Sequence, residues 1–353
     1  MYNKHKGKKM VGIFQFFRKG VLIIDRDLLR NVLVKDFDHF DGKSLHYNKE
    51  LEPLTAHLFS LGGYEWKVLR TKLTPTFSSS KLKGMFQNVI DIAHKLREYV
   101  SNMTAQSEEL DCKNVSLRFG LAVIASTAFG LDIDIVTDKS STFFEMAESI
   151  FSPSLDGMYR NGLWFYGGSI AKAFNLRIMP KKTHDFFFNL VKDTVHYRES
   201  HGTTRNDLLQ LLIQLKQGAK FGGEDISITI EELAAQSYVF MLGGFETTSS
   251  VLAFFLYEMA MNPEVQERVY AEVDAVEDIT YDTLADMEYL DMALNGKRLA
   301  KLMIKAAVVV LMKRFSVMTS PRTPNPLRYD PRSISLAPAG GMWLRLVDRS
   351  LVQ

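Results

Sequence analysis

Cysteine is nearly missing. Cys112 stands alone in 353 residues, which excludes an internal disulfide framework and any multi-cysteine metal site. An excess of charge of one sign is missing too. Forty-three Lys and Arg face 41 Asp and Glu, for a net +2, and no clustered basic stripe of the kind nucleic acid requires stands out. A long apolar run near the start is also lacking. Met10–Phe17 follows basic residues but is too short for a secretory core or a membrane span. The chain is therefore expected to carry no N-terminal anchor. There is no tandem repeat, low-complexity tract or convincing domain linker.

What is present is ordinary globular material. The apolar fraction is 46% and the charged fraction 24%, as in soluble domains. Two β-like runs, Val11–Phe17 and Val21–Asp25, flank Arg18-Lys19-Gly20 and predict a hairpin. From Asp25, a cap for Arg26–Val34, nearly everything to Phe315 reads as helix or connector. Ser333–Pro338 and Met342–Val347 around Gly340-Gly341 predict a second hairpin. The expected class is mainly α, with small β elements at both ends.

One stretch raises a chemical question. FMLGGFETTSSVLAFFLYEM (Phe240–Met259) sets Glu246, Thr247 and Thr248 in an apolar run. Thr229 with Glu232 forms a capping box, and Asn262-Pro263 is a stop, so one helix should span Ile230–Met261. A helix apolar nearly all round is buried in protein or in lipid. The lipid alternative would cost on the order of 3 kcal/mol for Glu246 alone. Gly243 and Gly244 either let a bound group approach the backbone or let another helix cross closely, and both readings stand. Thr247 and Thr248 can bond back to the preceding turn.

Taken together, the motifs resemble a known family. Gly-Gly-Phe-Glu-Thr (Gly243–Thr247) resembles the oxygen-activation motif of the cytochrome P-450 monooxygenases. Trp66-x-x-x-Arg70 resembles the pair that holds a haem propionate there, and four-residue spacing puts both on one helix face. RNDLLQLLIQLK, ITIEELAAQSYVF and YEMAMNPEVQERVYAEV also match, and the wording is similar to microsomal insect enzymes of the xenobiotic-metabolising type. The resemblance runs from about Tyr2 to Arg349. It implies a haem cofactor approached by Gly243 and Gly244, with Glu246 and Thr247 relaying protons to dioxygen. It further implies lipophilic or xenobiotic small-molecule substrates, an NADPH-dependent reductase partner, and the cytosolic face of the endoplasmic reticulum membrane. Without the anchor, the cytosol becomes the expectation.

The departures are as specific as the matches. No Glu-x-x-Arg occurs in the chain, and neither does the Phe-x-x-Gly-x-Arg-x-Cys-x-Gly loop that supplies the thiolate to iron in the family. The text passes near Asn295/Gly296 from the approach to the first motif to the helix that follows the second. The expectation is a single incomplete domain over 1–353. It comprises an N-terminal hairpin (1–25), a helical body (26–315) with a junction near 295/296, and a C-terminal hairpin (316–353). Such a truncated or exon-skipped chain lacks the axial cysteine and is expected to be inactive. The alternative is a non-catalytic isoform or partial gene product that acts only by binding. Cys112 lies in a polar connector unsuited to replace that ligand.

The basic residues and the aromatic clusters carry expectations of their own. Lys297, Arg298, Lys301, Lys305 and Lys313 give the last helix a basic side, which is either a reductase-docking face or a solvated one. Asn161–Pro180 mixes aromatics with Lys and Arg and lies either against a membrane surface or in the core. A haem-sized hollow should persist in part between Glu246–Thr247 and Trp66–Arg70. Its proximal wall should be open or filled by Gly296–Phe315. Glu246 should meet water there or be buried without a partner.

Overall fold

The computed structural model describes residues 2–15, 18–138, 140–151, 154–218, 227–294, 298–333 and 335–351. The Asn295/Gly296 junction and Lys297 lie outside these residues, as do the side chains of Arg298 and Leu299.

Strands β1 (Met10–Gln15) and β2 (Arg18–Ile23) form an antiparallel hairpin, with Gln15 opposite Arg18 and Ile13 opposite Gly20. The predicted turn residues Arg18, Lys19 and Gly20 are therefore inside β2. Gly20 is a strand glycine beside the Ile13 side chain. Helix α1 (Arg26–Arg30) starts at Asp25, whose carboxylate accepts from the Leu28 N–H at 2.8 Å, as the cap predicts.

The body follows in chain order: α2 (Gly63–Leu73), α3 (Ser79–Thr104), α4 (Cys112–Ala128), α5 (Thr142–Phe151), α6 (Leu155–Phe165), α7 (Gly168–Ala173), α8 (Lys181–His201) and α9 (Leu208–Lys216). Then come α10 (Ile230–Met261), α11 (Pro263–Asp274), α12 (Tyr281–Ala285), α13 (Glu288–Ala293) and α14 (Arg298–Met312). Helix α10 has both predicted boundaries. Thr229 and Glu232 make the reciprocal capping box, and Asn262 precedes Pro263 at its end.

Four of these helices close a ring. α10 packs along α4, α4 against α3, α3 against α14, and α14 back onto α10. α4 and α14 carry long apolar runs: Phe119–Ala125 and Leu302–Met312 are buried throughout, the second with one charged residue, Lys305, inside it. Helices apolar nearly all round need cover on every side, and the ring supplies it. Among the described residues, α10 is the one helix long and apolar enough to cross a membrane. Here it is the central helix of a protein core.

The C-terminal sheet differs from the predicted hairpin. Strand β5 (Trp343–Asp348) lies between β4 (Phe315–Thr319) and β3 (Leu110–Asp111), antiparallel to both. Gly340 and Gly341 do turn the chain, at φ 82° and 88°. Among the described residues of 333–338 none lies in a strand, and Pro338 forms an isolated bridge to Tyr329. The hydrogen-bonding edges of β5 are taken by segments far away in sequence, which local turn chemistry does not reveal.

Candidate ligand site on the long helix

The faces of α10 divide the labour among its central residues. Most of the helix is buried, but Gly243 and Thr247 are exposed, and Phe240, Val251 and Phe254 are half-buried. Steps of three and four residues make these one stripe. Phe77, just beyond α2, meets Phe240 edge-on at 5.3 Å, and Tyr329 lies 6.2 Å from Phe254 at the other end. Between them the helix presents an open shelf.

The two glycines do different things. A Cβ on Gly243 would meet nothing within 4 Å, so that backbone is open to an approaching group. A Cβ on Gly244 would fall 2.4 Å from Ile124 Cδ1. Gly120 answers from the opposite helix, where a Cβ would lie 2.3 Å from Ser249 Oγ. Gly244 and Gly120 thus allow α4 and α10 to cross closely. Thr247 donates from Oγ1 to the Gly243 carbonyl at 2.5 Å, while Thr248 is buried.

Gly243 and Thr247 line a cavity of about 370 Å³. Its other walls come from Thr55–Phe59 before α2, the end of α5, α6, and the start of α8. The walls are largely aromatic and aliphatic, including Phe59, Phe151, Trp164, Tyr238 and Leu242. His57 is 2% exposed, and Ser60 Oγ lies 3.3 Å from its Nδ1. Burial, followed by weaker opposing and assisting contributions, lowers its imidazolium to about 4, so the ring is neutral near pH 7. Burial pushes the Tyr238 phenol up. Asp156 and Arg160, also on the lining, pair with each other at 2.7 Å.

Glu246 faces elsewhere. One residue is about 100° around a helix, so Glu246 is turned a quarter-circle or more from Thr247. It is 6% exposed and accepts from Lys113 Nζ at 2.9 Å and Ser335 Oγ at 2.7 Å. Lys113 also donates to Ser250 Oγ at 2.8 Å. The expectation of a carboxylate that meets water or lacks a partner is corrected: a lysine on α4 was within reach. Lys113 and Ser335 were missed because they lie far from Glu246 in sequence. The one local signal was Ser250, one turn further along α10.

Trp66 and Arg70 do share one side of α2. Trp66 is half-buried, 5.7 Å from Phe37, with Lys43 Nζ 5.9 Å over its ring. Arg70 is exposed. Burial, and then the charge of Arg70, hold the Lys43 ammonium below its usual range. Neither Trp66, Arg70 nor Glu246 lines the cavity that Gly243 and Thr247 share. The four-residue hollow expected from the sequence is therefore divided into three places: the shelf and cavity, the Glu246–Lys113 cluster, and the outer face of α2.

Cys112 is wholly enclosed at the first turn of α4, and burial pushes its thiol up, so it packs as a protonated group. Among the described residues, no three His, Cys, Asp or Glu side chains gather as a metal site. The described residues of the basic side predicted for α14, Lys301, Lys305 and Lys313, are not free either. Lys305 is 3% exposed, donates to the Leu284 and Met287 carbonyls, and pairs with Asp291 at 2.6 Å. Lys301 shares Asp291 at 3.1 Å, and Lys313 donates to the Val276 carbonyl. Lys305 thus serves the Leu284 carbonyl at the end of α12 and the carbonyl of Met287, the cap of α13, which also accepts from the Asp291 N–H.

Comparison with known proteins agrees with the motifs. A family profile described as Cytochrome P450 matches residues 1–295. Cytochrome P450 6A1 of Musca domestica is 37% identical over 306 residues, covering 83% of this chain and 59% of that protein. Probable cytochrome P450 6a14 of Drosophila melanogaster is 34% identical, covering 84% and 62%. Probable cytochrome P450 6a18 of the same species is 32% identical over 332 residues, covering 91% and 66%. The chain thus spans about three fifths of the length of these relatives. With the profile match extending over most of its residues, the chain belongs to the cytochrome P450 family.

Proposed function

We propose that the complete protein oxidises lipophilic or xenobiotic small molecules with dioxygen and reductase-supplied electrons. We propose further that these 353 residues bind such molecules but do not oxidise them. The observation that carries this reading is a mismatch. The shelf of α10 is open and continuous with an apolar cavity, while the sole cysteine is sealed inside α4.

Haem fits one side of this arrangement. The space over Gly243 suits a flat apolar group against the helix, whereas the Arg70 guanidinium, which would suit a carboxylate edge, stands on the outer face of α2 and does not line the cavity. It does not fit the other side, because no thiol is available to ligate iron. When bound with its thiolate, haem supplies the electron push that cleaves O–O. That chemistry has no support in these residues.

What the chain's own groups can do is bind and exclude water. Phe59, Phe151, Trp164 and Leu242 favour an apolar ligand by burial, at roughly 25 cal/mol per Å². The Thr247 hydroxyl lines the cavity and is held by the Gly243 carbonyl. Glu246 is tied to Lys113 and would have to leave that pair to move a proton toward Thr247. The alternative reading, an isoform acting only through binding, is the same proposal without a complete counterpart.

A lipid surface belongs to this reading, in keeping with the endoplasmic reticulum membrane that the sequence resemblance implies. Leu155, Phe174 and Ile170 on or beside α6 and α7 are exposed, and so is Phe14 of β1. Arg18 of the hairpin reaches within 3.7 Å of a Cβ built on Gly168 of α7, so the two elements adjoin.

The test of the main reading is spectroscopic. Purified chain mixed with haemin and reduced under carbon monoxide should give no thiolate-type red-shifted Soret band, and Cys112→Ser should leave the spectrum unchanged. A red-shifted band that Cys112→Ser abolishes would overturn it.

A further inference from the structure

We propose that Lys43 is a nucleophilic amine that captures aromatic aldehydes as imines beside the outer face of α2. Lys43 does not line the α10 cavity, so the inference stands apart from the reading given to that cavity.

The amine is held between two rings. Lys43 Nζ lies 4.9 Å over the ring of Phe59 and 5.9 Å over that of Trp66. The loop that carries it is seated on the start of α2: a Cβ on Gly62 would come within 3.2 Å of the Gly42 Cα. Among the described residues the amine has no hydrogen bond and no ion pair. The nearby carboxylates are engaged elsewhere, for Asp38 pairs with Lys67 and Asp41 acts on the same lysine. The charged and titratable groups that interact with Lys43 are Arg70 of α2 and His57 of the segment before it, and His57 is neutral near pH 7.

Ring faces attract an ammonium, which keeps the amine in place. The same contact strips water from the charge, no carboxylate compensates it, and Arg70 repels it. A larger share of free amine results, and the free amine is the nucleophile. Lys43 as a whole is exposed, and Phe59 is 43% exposed, so a dissolved aldehyde reaches the nitrogen from the open side. The nitrogen pair attacks the carbonyl carbon, and the carbonyl π pair moves to oxygen. Both amine protons then leave with that oxygen as water, which gives the C=N bond with no electrons gained or lost. An aryl group on the carbonyl carbon lies against Phe59 and Trp66, which selects aromatic aldehydes over aliphatic ones.

Benzaldehyde and propanal are the probes, trapped as secondary amines with borohydride and located on the full chain by peptide mass spectrometry. At pH 7, benzaldehyde should mark Lys43 at least about fivefold more than the exposed Lys4 and Lys6, the factor that one aromatic contact contributes. Propanal should show a smaller preference. Arg70→Gln removes the repelling charge, so Lys43 keeps its proton to higher pH. Its benzaldehyde labelling at pH 7 should fall by roughly twofold or more. The deficit should close toward about pH 10, where lysines lose their protons in any case. Arg70 is exposed, so this variant keeps the fold. Labelling of Lys43 no greater than that of Lys4 and Lys6 overturns the proposal. So do an equal preference with propanal and an Arg70→Gln chain that labels like the wild type at pH 7.

Discussion

Glu246 and Lys113 show how much one residue's meaning depends on its neighbour. The sequence made Glu246 conspicuous, because an acid in the middle of an apolar helix needs a partner or a use. It could not name the partner, which sits on another helix 133 residues earlier. With both side chains mostly enclosed, neither charge can be removed alone without stranding the other. Lys113→Met should therefore cost about 3–5 kcal/mol in urea unfolding. The double change Lys113→Met with Glu246→Leu should recover most of that loss, because an apolar pair of similar volume replaces the ions. If the single substitution costs under about 1 kcal/mol, as an exposed pair would, the network is not the clasp described above. Lys305 carries the same lesson. It reads as one more basic residue on a surface helix, yet its ammonium is spent on the carbonyls of Leu284 in α12 and of Met287, the cap of α13.

At the scale of elements, α10 was legible almost to the residue. Its signals are local: a capping box at Thr229, a proline at 263, and apolar residues between. The strand partners were not. Gly20 reads as a turn residue and is in fact a strand glycine opposite Ile13. β5 finds its neighbours at Phe315–Thr319 and Leu110–Asp111, pairings set by tertiary packing. The adjacent glycines fall between these cases. Sequence supported close approach of a ligand and close crossing of helices equally, and the fold uses one glycine for each. This separates two substitutions that look alike. Gly243→Ala, with open space around its Cβ, should stabilise the helix by up to about 1 kcal/mol. Gly244→Ala pushes a methyl into Ile124 and should destabilise by roughly 1–3 kcal/mol, as overpacking does. Thermal melts of the two variants check the contrast, and equal shifts would count against the assignment.

For the whole molecule, the ring of α3, α4, α10 and α14 gives the chain a core of its own, while the remaining exposed apolar surface gathers at other elements. Left without cover, a helix as apolar as α10 would favour aggregation. The ring supplies that cover on every side but the shelf. The other apolar surface concentrates near the β1–β2 hairpin and α6–α7, where Leu155 is 86% exposed and Phe174 and Phe14 are each 74% exposed. Lys4, Lys6, Lys8, Lys9 and Lys19 lie in and around the hairpin, and Lys172 is on α7. Apolar side chains beside basic ones suit the boundary of an anionic bilayer, where burial and charge act together. The chain should therefore sediment with vesicles of phosphatidylcholine and phosphatidylserine, and less so as salt is raised. Removing Leu155 and Phe174 forfeits two buried side chains worth about 1.5–3 kcal/mol each. Leu155→Glu with Phe174→Glu should accordingly reduce vesicle binding by at least roughly tenfold, without changing the far-ultraviolet circular dichroism. Binding that is equal in the variant and the wild type would remove this side of the molecule as the lipid-facing one.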